Sequence, residues 1–473
     1  MPDGEGIQDG TASGLGAATE PLLDPVFRHI AANEDAFVAR LIDYLRYPSI
    51  SAQDIGIREV AALLETMLVG MGMDVAVVET DGHPMVVGSL PHRPGLPTIL
   101  FYGHYDVQPP EPLEAWTSPP FEPTIRDGRV YARGAGDNKG QHFAQILAIE
   151  SWLRVHGELP CNLKILLEGE EEVGSPHIEA FVEAHRELLQ ADLVVTADGP
   201  LDASGAPVIM FGTRGAVRFD LIAREASRDL HSGNFGGIAP NAAWTLVQLL
   251  ATMKSPDGTI TIDGIYDDIV PPGERERAAA DALPVDLDAL KREIGIRELD
   301  APRDRPLFDR IMFQPTLTIN GIIGGYTGKG IKTVIPCEAR AKCDMRLVDG
   351  MAPETVLSLV EDHVRRHAPG VEFVRQGGGK HPSKTDMDHP FADALIRAVT
   401  LGHEQPPLLY PMIGASGPDS AFTRILGIPA FFVPYANADE RNHAPDENIG
   451  LDFFHKGIRT GAAIIAQIAA SAR

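Results

Sequence analysis

The stretch LKILLEGEEEVGS, residues 163–175, sets a buried-strand signal directly against a knot of like charge. The run Ile165-Leu166-Leu167 has the length and apolarity of a strand covered on both faces. It then meets Glu168, Glu170, Glu171 and Glu172, four glutamates within five positions. In open sheets of mostly parallel strands, ligands collect at the carboxyl ends of the strands. Carboxylates gathered in a partly dry cleft disfavour one another's ionised form, and divalent cations resolve that conflict. The stretch therefore reads as a sheet strand that ends at a cation site.

Other acidic clusters also follow apolar runs. ILFYGHYDV (99–107) places His104 and Asp106 at a strand end, and LVVTADG (193–199) adds Asp198. RVYARGAGDNKG (129–140) carries Asp137 in a Gly-rich turn before a helix, and YANADERNHAPDE (435–447) offers His443. Histidine and carboxylate without thiolate is the donor set of a catalytic zinc site that keeps a position open for water. Two metals need about six ligands and one bridging carboxylate, and together they activate a water and polarise a carbonyl. A carboxylate beside that water must take its proton and pass it to a leaving amine. Adjacent glutamates can divide these tasks, one turned to metal and its neighbour to water.

The chain has 473 residues, which makes two domains the prior expectation. Apolar periodicity predicts a helix over 34–46. Strands follow in VAVVET, MVVGSL, TILFYGH, NLKILLEG and ADLVVTAD, with helices in NKGQHFAQILAIESWLRVHG and PHIEAFVEAHRELL. The first of these helices puts Phe143, Ile146, Leu147 and Leu153 on one face, and Pro176 falls in the first turn of the second. This alternation predicts a mostly parallel sheet with helices on both faces. From 214 the order becomes βαββαβ, through AVRFDLIARE, NAAWTLVQLLATM, PTLTING, EARAKCDMRLV, PETVLSLVEDHVRRHA and VEFVRQ. That order suits a ferredoxin-like α+β domain, with 254–313 as an insertion inside it. A helix (391–403), the strand IPAFFVPYA and a last amphipathic helix then return to the first domain. The expected division is a frayed N-terminus over 1–22, a metal-binding domain over 23–213 and 385–473, and an inserted domain over 214–384.

The 66 Asp and Glu against 41 Lys and Arg give a formal charge of −25, which argues against nucleic acid and anionic membranes as partners. No apolar run reaches the length of a membrane span, and the N-terminus lacks a signal-peptide pattern. Three cysteines, Cys161, Cys337 and Cys343, show no CxxC spacing. A cytoplasmic, reducing compartment is expected. GGYTGKG (324–330) fails the phosphate-loop pattern, since Gly330 stands where Ser or Thr should bind magnesium, and reads as a loop. No HExxH occurs, so a helix-borne single-zinc protease is disfavoured.

Taken jointly, GHYDVQP, RGAGDNKGQ, EGEEEVGS, DLHSGNFGG and NHAPDEN resemble the co-catalytic zinc exopeptidases and deacylases, from about 35 to the C-terminus. That family includes carnosine-type dipeptidases, glutamate carboxypeptidase, acetylornithine deacetylase and succinyl-diaminopimelate desuccinylase. LHSGNFGG and the long insertion resemble the dipeptidase branch most. The resemblance implies two divalent ions, zinc with manganese or cobalt as alternatives. It implies that His104 and Asp198 complete one metal, that Glu172 and His443 complete the other, and that Asp137 bridges both. It makes Asp106 the residue that orients His104, and it marks the Asp137-Asn138 peptide as one that is often cis. Glu171 matches the general base on the frame Glu171-Glu172-Val173-Gly174-Ser175, which leaves Glu170 as the extra residue. His231 matches a histidine that reaches the partner subunit's active site in a homodimer made through the inserted domain. Arg346 matches an arginine that binds the substrate carboxylate, while IGASGPDS (413–420) matches the family's substrate loop only loosely.

The expected function is metal-dependent hydrolysis of an amide bond in a small peptide, most simply a dipeptide. An N-acyl-amino-acid deacylase shares all the chemistry and differs in pocket shape. A metal-bound scaffold without turnover is a rival of another class, and a general base beside a full ligand set argues against it.

Overall fold

The computed structural model describes residues 12–300, 302 and 305–471. The chain divides into two compact units. The first comprises Met1–Phe211, Thr385–Tyr410 and Ala421–Arg473, and the second Gly212–Lys384 and Pro411–Ser420. Residues 411–420, read from sequence as part of the first domain, thus cluster with the second. The reason is long-range pairing: Ile413 bridges Thr213 in parallel and donates its N–H to the Gly212 carbonyl at 2.9 Å.

The first unit is built on an eight-stranded sheet. Its order in space is Asp74–Val78, Met85–Ser89, Asn162–Glu168, Thr98–His104, Leu193–Thr196, Ala430–Phe432, Val208–Met210 and Leu408–Tyr410. Thr98–His104 is buried at every position and pairs in parallel with both neighbours. Its register sets His104 opposite Glu168, so the two carboxyl ends finish side by side. Leu193–Thr196 and Ala430–Phe432 continue the parallel set. The strands Val208–Met210 and Leu408–Tyr410 have three residues each and carry too little periodicity to be read from sequence.

Helix Lys139–His156 was expected to bury one face. It buries almost all of its first four turns instead, Gln141, His142, Gln145 and Ser151 included, because helix Leu451–Ser471 and the sheet both pack on it. Pro176 precedes the helix it was expected to open, which runs Ile178–Ala184 and continues as a separate turn at Arg186–Leu189. Of the segment expected to fray, 1–22, residues 1–11 lie outside the described residues, and Ala12–Ala32 forms a helix. Leu23, Val26 and Ile30 explain this correction, being buried at helical spacing, while the Thr19 hydroxyl accepts from Gln467 Nε2 at 2.7 Å.

A smaller sheet of the same unit pairs Asn448–Gly450 with Arg129–Tyr131, and that strand with Thr124–Arg126. It brings the late NHAPDEN segment beside the Gly-rich turn that carries Asp137.

The second unit carries a four-stranded antiparallel sheet in the order Thr316–Gly324, Glu338–Leu347, Gly215–Arg224 and Val371–Arg375. With helices Ala242–Met253 and Pro353–His367 packed against it, this is the ferredoxin-like βαββαβ arrangement. Among the described residues, the insertion contributes three short helices, Glu274–Ala282, Leu287–Ile294 and Leu307–Met312. No helix among the described residues is long and apolar enough to cross a membrane. Cys161, Cys337 and Cys343 form no disulfide.

Candidate metal centre

The carboxyl ends of the parallel strands carry the site. His104 ends its strand fully buried, and its Nδ1 faces Asp106, 3.1 Å from the backbone oxygen and 3.4 Å from Oδ1. A proton held there leaves the Nε2 lone pair free for a metal. Nε2 lies 3.0 Å from Asp137 Oδ1 and 3.8 Å from Asp198 Oδ2. On the other side, His443 Nε2 lies 3.1 Å from Asp137 Oδ2 and 3.1 Å from Glu172 Oε2. Two donor groups result, His104-Asp137-Asp198 and Asp137-Glu172-His443, and Asp137 belongs to both with one oxygen toward each.

These residues fit two cations. Donors about 2.1 Å from a tetrahedral ion stand roughly 3.4 Å apart; here the histidine-to-carboxylate separations run from 3.0 to 3.8 Å, and the candidate donor atoms of each group all lie within 4.8 Å of one another. The charges say the same. Burial and the Asp137 charge push Glu172 up to about 7, and the same two causes push Asp198 up to about 7. Hydrogen bonds that the His443 imidazolium donates to Asp137 and Glu172 push its pKa up to about 10. Burial works against the His104 imidazolium, but hydrogen bonds to Asp106 and Asp137 outweigh it and hold its pKa well above the usual value. Burial likewise opposes the charged form of Asp137, and bonds from both histidines overcome it. The cluster thus draws positive charge toward Asp137 from both sides.

Each of the four glutamates has its own neighbour. Glu168 accepts from the Tyr102 hydroxyl at 2.6 Å, and burial pushes its carboxyl up to about 8. Glu170 is buried and pairs with His177 Nδ1 at 2.7 Å, against Gly82, where a Cβ would come within 1.8 Å of its Oε1. Glu172 is the metal-group member, and Gln108 Nε2 steadies its Oε2 at 3.0 Å. Glu171 opens the turn Glu171–Val173. Its N–H donates to Asp106 Oδ1 at 3.2 Å, and that of Glu172 to Asp106 Oδ2 at 3.1 Å. One aspartate therefore orients His104 and also pins the backbone from which the Glu171 and Glu172 side chains diverge.

Glu447 was within a quoted motif but received no role from sequence. Its Oε1 accepts from the N–H groups of Gly136 and Asp137 at 3.0 and 2.9 Å, and its Oε2 from Arg133 Nη1 at 2.7 Å. It fixes the turn that presents the shared Asp137, whose peptide to Asn138 is cis. Only the backbone partners of Glu447 reveal this, and a sequence does not display them.

Two expected site residues belong to the second unit. His231 is exposed, and its Nδ1 accepts from Gly233 N at 3.0 Å. The neutral ring then carries its proton on Nε2, which makes that atom a donor. Arg346 is half-buried and donates through Nη1 to Ser416 Oγ at 2.8 Å, while its Nε lies 3.7 Å from Asp344.

Peptidase family M20/M25/M40 matches residues 100–467. Human Beta-Ala-His dipeptidase is 30% identical over 95% of this chain and 93% of its own length. Cys-Gly metallodipeptidase dug1 of Schizosaccharomyces pombe is 30% identical over 94% and 98% respectively. Among solved structures, the M20 family metallo-carboxypeptidase Sso-CP2 from Sulfolobus solfataricus superposes with a TM-score of 0.84 at 33% identity, covering 92% of this chain and 99% of that one. A two-histidine, three-carboxylate centre, buried at His104 and Asp137 and open at His443, and this breadth of match agree: the chain belongs to peptidase family M20/M25/M40 and is a metallopeptidase.

Proposed function

We propose that the protein is a dinuclear metallodipeptidase. The observation that carries this reading is Asp137, whose two carboxylate oxygens face two separate histidine-containing donor groups. His104, Asp198 and Asp137 would hold one ion, and Asp137, Glu172 and His443 the other. Two divalent cations, zinc or in its place manganese or cobalt, would when bound lower the pKa of a water and polarise the scissile carbonyl.

The chain's own residues supply the rest. Glu171, its amide pinned by Asp106, takes the proton of the attacking water and returns it to the departing amine. Arg346 holds the free carboxylate of the peptide through its planar fork. His231 donates from Nε2 to the oxyanion of a neighbouring copy's substrate. That last role needs a homodimer made through the inserted unit. Its support is an edge strand, Thr316–Gly324, with Ile319, Ile322 and Ile323 exposed, together with Trp244, 64% exposed on helix Ala242–Met253. Cytoplasmic residence belongs to the same reading and is supported by the three cysteines, which form no disulfide.

A dipeptide substrate is supported by the dipeptidase relatives. The test is release of free amine from a panel of dipeptides and N-acylated amino acids, with the metals loaded. Turnover of dipeptides is expected; turnover confined to acylated amino acids would replace the peptidase reading with a deacylase. For the dimer, His231→Ala and Glu171→Gln chains are mixed and exchanged. Recovery should approach about a quarter of wild type, because half of the dimers mix and each has one intact site. No recovery after demonstrated exchange would place His231 outside a shared site.

A further inference from the structure

We propose that Arg214 is a positioning residue for the free carboxylate of the substrate: it fixes the loop that carries Ser416 against Arg346 and sets a second guanidinium beside that pair. The inference rests on the reading of Arg346 given above.

The loop Pro411–Ser420 departs from its sequence neighbours, which belong to the other unit. What draws it across is the segment 212–214. The Gly212 carbonyl accepts from Ile413 N at 2.9 Å, Thr213 bridges Ile413, and Arg214 N donates to the Ala415 carbonyl at 2.9 Å. The Arg214 side chain closes the arrangement, with Nε and Nη2 both donating to the Gly414 carbonyl at 3.0 and 2.9 Å. Arg214 thus grips the 414–415 peptides from backbone and side chain together. Ser416 follows directly, and its hydroxyl accepts from Arg346. A lysine offers a point charge and could not repeat the fork on one carbonyl.

The charge balance adds an independent observation. Arg214 Nη1 is buried and has no hydrogen-bond partner. A buried guanidinium N–H left unpaired is costly, and its ordinary partner is an anion. Burial, and after it the positive charge of Arg346, push the Arg214 pKa down to about 10, with Asp344 opposing. Two guanidiniums sharing one aspartate leave a surplus of positive charge on this face. A carboxylate is the ligand class that offsets it.

The experiment compares one dipeptide with its C-terminal amide. In the wild type the acid should be strongly preferred. Arg214→Met should reduce the acid-to-amide ratio of kcat/KM by about 10- to 100-fold, mostly through KM for the acid, as expected when a hydrogen-bonded charge loses its partner. Arg214→Lys, which keeps the charge without the fork, should give an intermediate ratio and stands in if the Met variant does not fold. Arg346→Met is the control. If it leaves the ratio unchanged, the carboxylate reading of Arg346 itself falls. If Arg346→Met collapses the ratio while both Arg214 variants lower acid and amide equally, or change neither, Arg214 is only a structural clamp and this inference is wrong.

Discussion

Two side-chain clusters, one in each unit, carry opposite charge imbalances. In the first, Asp137, Glu172 and Asp198 converge on two imidazoles, and the crowding raises two of the three carboxyls to about 7. In the second, Arg214 and Arg346 share Asp344, and one guanidinium nitrogen is left without a partner. The first arrangement suits cations and the second an anion. The difference between the regions also shows why neither set was spent on stability: buried like charges cost free energy unless something binds them.

The sharpest way to break this comparison lies at Glu171, the proposed general base of the first region. Glu171→Gln should lower kcat by at least about 10²-fold while metal content and substrate affinity stay normal, the size expected for loss of a general base. Glu172→Gln should weaken one metal instead. A smaller effect is expected in the second region, where Arg346→Met should raise KM for free dipeptides by about 10- to 100-fold with a lesser change in kcat. An unchanged KM would remove the anion half of the comparison.

A third prediction sharpens the cation half through pH. In the metal-free cluster the Glu172 and Asp198 carboxyls titrate near 7 and His443 near 10. Ligation needs ionised carboxylates and neutral imidazoles, so each bound proton competes with metal. Below about 7 the carboxyls hold protons as well as the imidazoles, and apparent zinc affinity should fall most steeply there, by up to about tenfold per pH unit for each proton displaced. Between 7 and 10 the fall should be shallower. Competition against a chelator across pH 5.5–9 measures this, and a flat profile would contradict it. The smallest effect is expected at Glu170, which pairs with His177. Glu170→Gln should cost about 1 kcal/mol of stability and leave kcat within about twofold. A large kcat defect there would shift the glutamate frame by one residue.

Much of this was legible because the signals are local. Ile165-Leu166-Leu167 running into glutamates marks a strand end, and His104, Asp137, Asp198 and His443 each follow a similar run or a Gly-rich turn. The division of labour among Glu168, Glu170, Glu171 and Glu172 was not legible from composition, since adjacent identical residues differ only in what surrounds them. Tyr102, His177 and Asp106 make that difference, and they lie up to 66 positions away in sequence. The same holds for loop 411–420, whose attachment to 212–214 spans about two hundred positions: Arg214 and Gly414 are separated by 200. Strand-end chemistry is written in neighbours along the chain, whereas loop placement is written in hydrogen bonds between remote carbonyls.

The shared role of Asp137 is the point on which the account turns, and elemental analysis of metal-reconstituted protein tests it most directly. Wild type should bind two divalent ions per chain. Asp137→Ala should lose both, with activity down by about 10³-fold or more, since several kcal/mol of charge stabilisation go with them. A variant that keeps both ions and normal turnover, or a wild type that binds only one ion at saturation, would contradict a centre built around this residue.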